Sequence, residues 1–411
     1  MGLLLTRNLL TGGAERVLVT YANHARSFRP VVGLLEKKGA LLDELHATVP
    51  CHARIDRTVP VSFVTRWSPE IPGETFARLA LECLWLRDVV RTTGATVVSS
   101  FLMRAHVVAL LTKLTLLPGL PLVLNVHEHM SESAEHLYPK RRDRAMMRWI
   151  TRHLFPRADR IVVVADALRR DLVERHGVPA HMVDVVHNPL EIDRIRRAGA
   201  SPVDLTPGAK ASDERAQTIV AVGRLVHLKG YDLLLQALAL LRRTRDVRLL
   251  LVGEGPELPV LEALAEQLGV RAHVTFVGQV ANPWRYMARA DVLALTSRTE
   301  AFPNVLTEAM ALGIPVVATD CTGGIRESLL DGDCGLIVPT EDIGAIANGL
   351  DRVLGDDALR SRFTAAGHLR ALSFDLPVVQ ERYESVLRGA MRRGAMRRGA
   401  VMDGTRDSAR G

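Results

Sequence analysis

Short, mostly apolar runs alternate along this chain with segments of helical periodicity, and this alternation restricts the fold more than any other feature. The first half carries such runs at Leu3 to Leu5, Val31 to Leu35, Thr96 to Ser99, Leu122 to Val126, Ile161 to Val164 and Val183 to Val186. The second carries them at Thr218 to Val222, Arg248 to Val252, Val274 to Val277, Val292 to Leu295, Pro315 to Ala318 and Gly335 to Val338. Each is too short for a helix and lacks the in-and-out alternation of a strand with one wet face, so it reads as a strand buried on both sides. Such strands belong to parallel sheets covered by helices on both faces. The expectation is an α/β protein of two Rossmann-like domains, and 411 residues suit two domains better than one.

Between the two series lies "RRAGASPVDLTPGAKASDERAQ", rich in small, polar and charged residues and poor in apolar periodicity. This places a linker at 196–216 between domains at 1–195 and 217–372, with parallel sheets facing a cleft that can close on a ligand. An amphipathic helix is expected at 373–388. The remainder, 389–411, repeats RRGAM; its glycines and unpaired positive charge predict a disordered basic tail.

The formal charge of +7 and a pI near 9.5 favour an anionic partner. Aromatic residues are only 4%, too few for the stacking platforms that hold single strands, so nucleic acid is not expected. The four cysteines form no CxxC pair and have no histidine at zinc-ligand spacing, which predicts reduced thiols, a cytoplasmic location and no structural metal. The longest apolar region, "VVALLTKLTLLPGLPLVLNV", is interrupted by Lys113, Pro118 and Pro121, so no transmembrane segment is expected.

The stretch "RTEAFPNVLTEAMALG" carries Glu300 and Glu308 with seven residues between them, where the strand Val292 to Leu295 gives way to a helix ending at Gly313. Ligands of open α/β sheets bind outside the carboxyl ends of strands. A helix start there offers unpaired N–H groups and partial positive charge to a diphosphate. Glu308, one to two turns into the helix, could then accept ribose hydroxyls, while Glu300 reaches hydroxyls beyond the phosphates. An isolated pair with this spacing would read as a capping acid and a surface glutamate. Here "VGRLVHLKGYDLLLQAL" adds Arg224 and Lys229 at the end of another strand, two cations for the same diphosphate.

With those residues, the second half resembles the donor-binding domain of the retaining GT4 glycosyltransferases, which have the GT-B fold. The matching text is "VGRLVHLKGYDLLLQAL", "LLVGEGPE", "FVGQV", "ADVLALTSRTEAFPNVLTEAMALGIPVVATDCTGGIRESL" and "DGDCGLIVP", in family order. Near the start, "GGAERVLVTYANH" resembles the glycine loop of the family and "VVHNPLEID" its inter-domain segment. The resemblance makes the first domain the acceptor side. It implies that Glu308 holds the ribose, and that Glu300 contacts the transferred sugar together with backbone amides of Phe302, Pro303, Asn304 and Val305. It also implies that Arg224 and Lys229 bind the diphosphate and Gly13 lets the backbone approach it. In "VHEHM", His127 resembles the histidine that members place near the donor sugar, with Glu128 as the substitute.

The implied activity is transfer of a hexose-type sugar from a nucleotide diphosphate donor, UDP favoured over GDP, to a hydroxyl of a lipid-linked glycan or small molecule. Retention of configuration is implied, with no cofactor. The Asp-Gly-Asp at Asp331 to Asp333 reads as a turn rather than a metal site. Alternatives are an epimerase or phosphorylase on the same fold, or a non-catalytic nucleotide- or nucleic-acid-binding protein. Finally, "YPKRRDRAMMRWITRHLFPRADR" predicts a helix with Arg141, Arg144 and Arg148 on one stripe, either a solvated basic face or a contact with anionic lipid at the inner face of a membrane.

Overall fold

The structure, a computed structural model, describes residues 1–10, 12–54, 73–132, 140–203 and 216–407. It comprises two compact units. The first is Met1–Val164, Leu168–His187 and the chain from Gln380 onward; the second is Ala165–Ala167 and Asn188–Val379.

The first unit holds β1 (Gly2–Thr6), β2 (Pro30–Leu34), β3 (Cys51–Ala53), β4 (Val97–Phe101), β5 (Leu122–Val126), β6 (Arg160–Val163) and β7 (Val183–Val185). They form one parallel sheet in the order β3-β2-β1-β4-β5-β6-β7. Every residue of β1, β4 and β5 is buried, as continuous apolar strands between two helical layers require. The strand order reverses between β1 and β4, where Leu3 pairs with Val31 on one side and with Val98 on the other.

The second unit holds β8 (Gln217–Val222), β9 (Val247–Val252), β10 (Val274–Gly278), β11 (Val292–Leu295), β12 (Val316–Thr319) and β13 (Leu336–Val338). Their order is β10-β9-β8-β11-β12-β13, again parallel, with the reversal between β8 and β11. Ile219, Leu249 and Val292 pack with Leu234 and Leu238 of the helix Tyr231–Leu241 and with Leu350 and Val353 of the helix Ile343–Gly355. All the expected strands form, which gives two parallel-sheet, Rossmann-like domains.

Three features differ from expectation. Strand β3 has three residues, with Cys51 and His52 exposed, so it lacks an apolar run to mark it. The helix Ile192–Gly199 covers the start of the expected linker and buries Ile192, Ile195 and Gly199. Arg196 there donates to the Ala311 carbonyl at 3.0 Å. Linker residues 204–215 lie outside the described residues.

The last helix runs Leu376–Asp407, where an end at 388 and a disordered tail were expected. Its alanines, methionines and arginines are strong helix formers, and a glycine in every fifth position costs only about 1 kcal/mol each. Residues 408–411 of that tail are outside the described part. Within the first unit, Tyr383 stacks on Tyr21 with ring centroids 3.8 Å apart and donates to Ser99 Oγ at 2.8 Å. Burial disfavours the charge on Glu384, but hydrogen bonds from Gln380, Ser27 and Arg26 outweigh it and hold the carboxylate below its usual range. The four cysteines are free thiols, and among the described residues no helix is long and apolar enough to cross a membrane.

Candidate active site

Strands β8 and β11 are neighbours at the point where the order of the second sheet reverses, which is where an open α/β sheet leaves a crevice at its carboxyl edge. The loops that follow them carry the residues singled out in the sequence. Lys229 sits at the end of a short turn, His227–Lys229, after β8. Glu300 sits in the loop after β11. Lys229 Nζ lies 2.5 Å from Glu300 Oε1, and Ser297 Oγ donates to the same oxygen at 2.6 Å. Glu300 is 10% exposed and Lys229 25%, so this ion pair is partly shielded from water.

The loop is fixed from two sides. Arg298 donates to both oxygens of Asp232 at 2.8 and 2.7 Å, and its amide donates to the Leu228 carbonyl at 2.8 Å, tying the β11 loop to the β8 loop. On the other side, Glu300 N donates to the Thr322 carbonyl at 3.1 Å and Gly324 N to the Ala301 carbonyl at 2.9 Å. Gly323 has φ +116°, and a Cβ there would lie 1.9 Å from the Glu300 carbonyl oxygen, so only glycine permits this approach.

The helix Asn304–Leu312 begins directly after, with Pro303 in the N-cap position and Gly313 closing it in the left-handed conformation. Pro303 provides no capping side chain, so the amides of Asn304 and Val305 have neither a cap nor a carbonyl one turn back. Phe302 is buried edge-on against Phe374, with ring centroids 5.5 Å apart, and anchors the turn. Asn188 Nδ2 donates to Asn304 Oδ1 at 2.7 Å, so the inter-domain segment holds the first helical residue. Glu308 is half-buried on the second turn, four residues after Asn304 and hence on the same helix face. Arg224 is exposed in the loop after β8 and forms no side-chain ion pair among the described residues.

In the first unit, Gly13 is the first residue of the helix Gly13–Asn23 after β1, not the loop tip expected of it. His127 follows β5 and stacks on Phe101 at the end of β4, with ring centroids 5.7 Å apart. Burial lowers its pKa to about 4, which keeps the imidazole neutral near pH 7. Beneath it, His106 is lowered to about 3, chiefly by burial and then by His127, and its Nδ1 lies 2.8 Å from Ser100 Oγ. Farther along the His127 loop, Ser131 donates to Asp171 through its amide at 3.1 Å and its hydroxyl at 2.5 Å.

The sequence brought forward Glu300, Glu308, Arg224 and Lys229 but not Ser297, Tyr231, Asn188 or the Thr322-Gly323-Gly324 turn. The buried Tyr231 hydroxyl lies near Gly223, at the end of β8; burial and then the charge of Glu300 push its pKa up. Only the position of these residues just past strand ends could have marked them.

Two α/β units with parallel sheets, the second bearing a cation–carboxylate pair and an uncapped helix start at its reversal point, define a GT-B-type glycosyltransferase. Residues 11–194 match the family model described as Glycosyltransferase Family 4, and residues 204–370 match the one described as Glycosyl transferases group 1; the chain belongs to these glycosyltransferases. It is 27% identical over 372 residues, 90% of this chain and 94% of the relative, to the N-acetylgalactosamine-N,N'-diacetylbacillosaminyl-diphospho-undecaprenol 4-alpha-N-acetylgalactosaminyltransferase of Campylobacter jejuni. To the alpha-D-kanosaminyltransferase of Streptomyces kanamyceticus it is 26% identical, over 66% of this chain and 71% of the relative. Among solved structures, Anabaena HepE in complex with UDP-glucose has the same fold, with a TM-score of 0.76 and 22% identity over 94% of this chain and 99% of that one.

Proposed function

We propose that this chain is a retaining, metal-independent glycosyltransferase that moves a hexose-type sugar from a nucleotide diphosphate, UDP favoured over GDP, to a hydroxyl of a lipid-linked glycan or a small molecule. The observation that carries the reading is the Lys229–Glu300 pair at the reversal of the second sheet, beside an uncapped helix start. The Campylobacter relative, named for a diphospho-undecaprenol-linked acceptor, supports the lipid-linked option; HepE, solved with UDP-glucose, supports the uridine donor.

In the reaction the bond from the anomeric carbon to the phosphate oxygen breaks, and a bond from that carbon to the acceptor oxygen forms on the same face. The acceptor proton passes to the departing phosphate. Negative charge grows on the nucleoside diphosphate, and Lys229, Arg224 and the amides of Asn304 and Val305 stabilise it without a metal ion. When the donor enters, Lys229 turns from Glu300 to phosphate, and Glu300 turns to sugar hydroxyls. Glu308 accepts the ribose hydroxyls. His127, neutral, donates to or accepts from the sugar, and Gly13 admits the donor close to the backbone.

The working location is the cytoplasm, with peripheral contact to the inner face of the membrane through Arg141, Arg144 and Arg148.

The test is to incubate purified protein with a panel of nucleotide sugars and follow nucleotide release by chromatography, for wild type and Glu308→Ala. Release that needs an acceptor hydroxyl, with the KM for the donor raised about ten- to a hundredfold in the variant, fits lost hydrogen bonds to a charged group. Equal release by the variant from every donor used would end the ribose assignment. Donor conversion without acceptor would favour an epimerase, and dependence on inorganic phosphate a phosphorylase.

A further inference from the structure

We infer that the carboxyl edge of the first sheet carries a separate anion site that takes a phosphate or diphosphate group of the acceptor. The word acceptor rests on the transferase reading; the site itself rests on the first unit alone. In the order β3-β2-β1-β4, each of four neighbouring strands delivers a cation within a few residues of its carboxyl end: Arg54, Lys37, Arg7 and Arg104 respectively. Arg78 joins them from the helix Gly73–Thr93.

Two carboxylates meet these cations, and both are already shared among arginines. Glu36 accepts from Arg7 at 3.1 Å and from Arg78 at 2.8 Å. Glu82, almost fully buried, accepts from Arg104 at 3.0 Å and faces Arg78 at 3.4 Å. Lys37 and Arg54 add two further positive charges to the same open hollow, which Leu35, Glu36, Cys51 and Arg78 also line. Lys37 lies close enough to Cys51 for its charge to oppose the upward push of burial on that thiol. Like charges crowded in this way repel, and an anion bound among them relieves the repulsion.

The cations are held in place rather than trailing from the surface. Arg54 N donates to the Leu34 carbonyl at 2.9 Å and continues the pairing of β3 with β2. The Lys37 loop is clamped on the loop after β1, where Leu9 N donates to the Lys38 carbonyl at 2.9 Å and Leu41 N to the Leu9 carbonyl at 3.1 Å. Gly39, φ +126°, makes that contact possible, since a Cβ would lie 1.8 Å from the Leu9 carbonyl oxygen. A phosphate presents its oxygens in several directions, which suits an ammonium and guanidinium forks arriving from β2, β3 and a helix. The place, outside the carboxyl ends of a parallel sheet, is the one where such folds bind ligands.

The test uses the full chain with saturating UDP to occupy the donor site, titrated calorimetrically with inorganic pyrophosphate, orthophosphate and geranyl diphosphate. Wild type is expected to bind at least one of these. In Lys37→Gln/Arg54→Gln the affinity should fall at least tenfold, with UDP affinity and melting temperature unchanged. Tighter binding of geranyl diphosphate than of pyrophosphate supports a lipid-linked acceptor, and the reverse order a soluble phosphoester. Absence of binding by the UDP-saturated wild type, or equal binding by the double variant, overturns the site. If the double variant does not fold, exposed Lys37→Gln alone provides the same comparison. A wild type that takes up no UDP speaks against the transferase reading instead, and the comparison between variants still decides the anion site.

Discussion

The Lys229 ammonium lies 2.5 Å from the Glu300 carboxylate, although 71 residues separate the two in sequence. The pair neutralises two charges that a ligand-free pocket would otherwise hold unpaired at the edge of a packed core, and it keeps both at the reversal of the sheet. A donor carrying both a diphosphate and sugar hydroxyls can replace each partner for the other. The separate contributions of the pair to folding and to turnover follow from this arrangement.

Lys229→Met leaves a carboxylate that is 10% exposed with Ser297 as its remaining close donor, and should destabilise the protein by about 1–3 kcal/mol. Adding Glu300→Gln removes the orphaned charge and should restore most of that loss in urea unfolding. Turnover should not return. With the cation for the leaving diphosphate gone, kcat is expected to fall by about a hundred- to a thousandfold in both variants. Recovery of kcat in the double variant would show that Lys229 serves only to neutralise Glu300.

Much of this was legible from the chain alone because parallel sheets write themselves as short apolar runs, and because a loop between a strand and a helix is a ligand position by topology. The run Val292 to Leu295, the helix ending at Gly313 and the acids on either side of Pro303 needed no coordinates. The ion pair was another matter: Lys229 and Glu300 were assigned to diphosphate and sugar separately, and only the adjacency of β8 and β11 brings them together. Asn188 holds Asn304 from 116 residues away, and no local pattern announces such a partner. Strand β3 is too short to carry periodicity, and Leu102, at φ +67° after β4, has a conformation that its residue type does not suggest.

Gly323 and Gly332 separate backbone strain from steric fit. Both have positive φ, +116° and +110°, so alanine is strained at either. At Gly332 nothing lies within 4 Å of the added methyl, whereas at Gly323 it meets the Glu300 carbonyl oxygen at 1.9 Å. Gly332→Ala should cost about 1 kcal/mol and leave kcat/KM within twofold. Gly323→Ala must displace the Glu300 loop, and kcat/KM should fall at least tenfold with a larger loss of stability. Equal activities for the two variants would show that the close approach at Gly323 does not position Glu300.

Acid should destabilise the first unit through its neutral histidines. The pKa values of His106 and His127 are lowered to about 3 and about 4, so between those values and the ordinary value near 6.5 the unfolded chain binds protons that the folded one does not. Stability therefore rises with pH across that window and is lost as pH falls through it. Each histidine contributes at most about 1.4 kcal/mol per pH unit. Urea midpoints measured from pH 7 to pH 4.5 should fall more steeply for wild type than for His106→Asn, which lacks one titrating ring. Parallel slopes would mean that His106 is protonated in the folded protein.

Binding to anionic vesicles is the remaining expectation, and the helix Arg141–His153 makes it specific. Arg141, Arg148 and Arg152 are exposed on this helix, and so are Met146 and Trp149, at 56% and 55%. Large apolar side chains amid cations suit an interface where the rings and thioether sink among acyl chains and the guanidinium groups meet phosphates. A basic residue near an anionic surface is worth about 1 kcal/mol, so replacing Arg141, Arg144 and Arg148 by glutamine should weaken partitioning on the order of a hundredfold. Cosedimentation with vesicles containing phosphatidylglycerol, against purely zwitterionic vesicles, measures this, and added salt should weaken wild-type binding as screening increases. Trp149→Ala should weaken binding to anionic vesicles without removing its salt dependence. If the triple glutamine variant bound as wild type does, the contact would have to lie on another face of the chain.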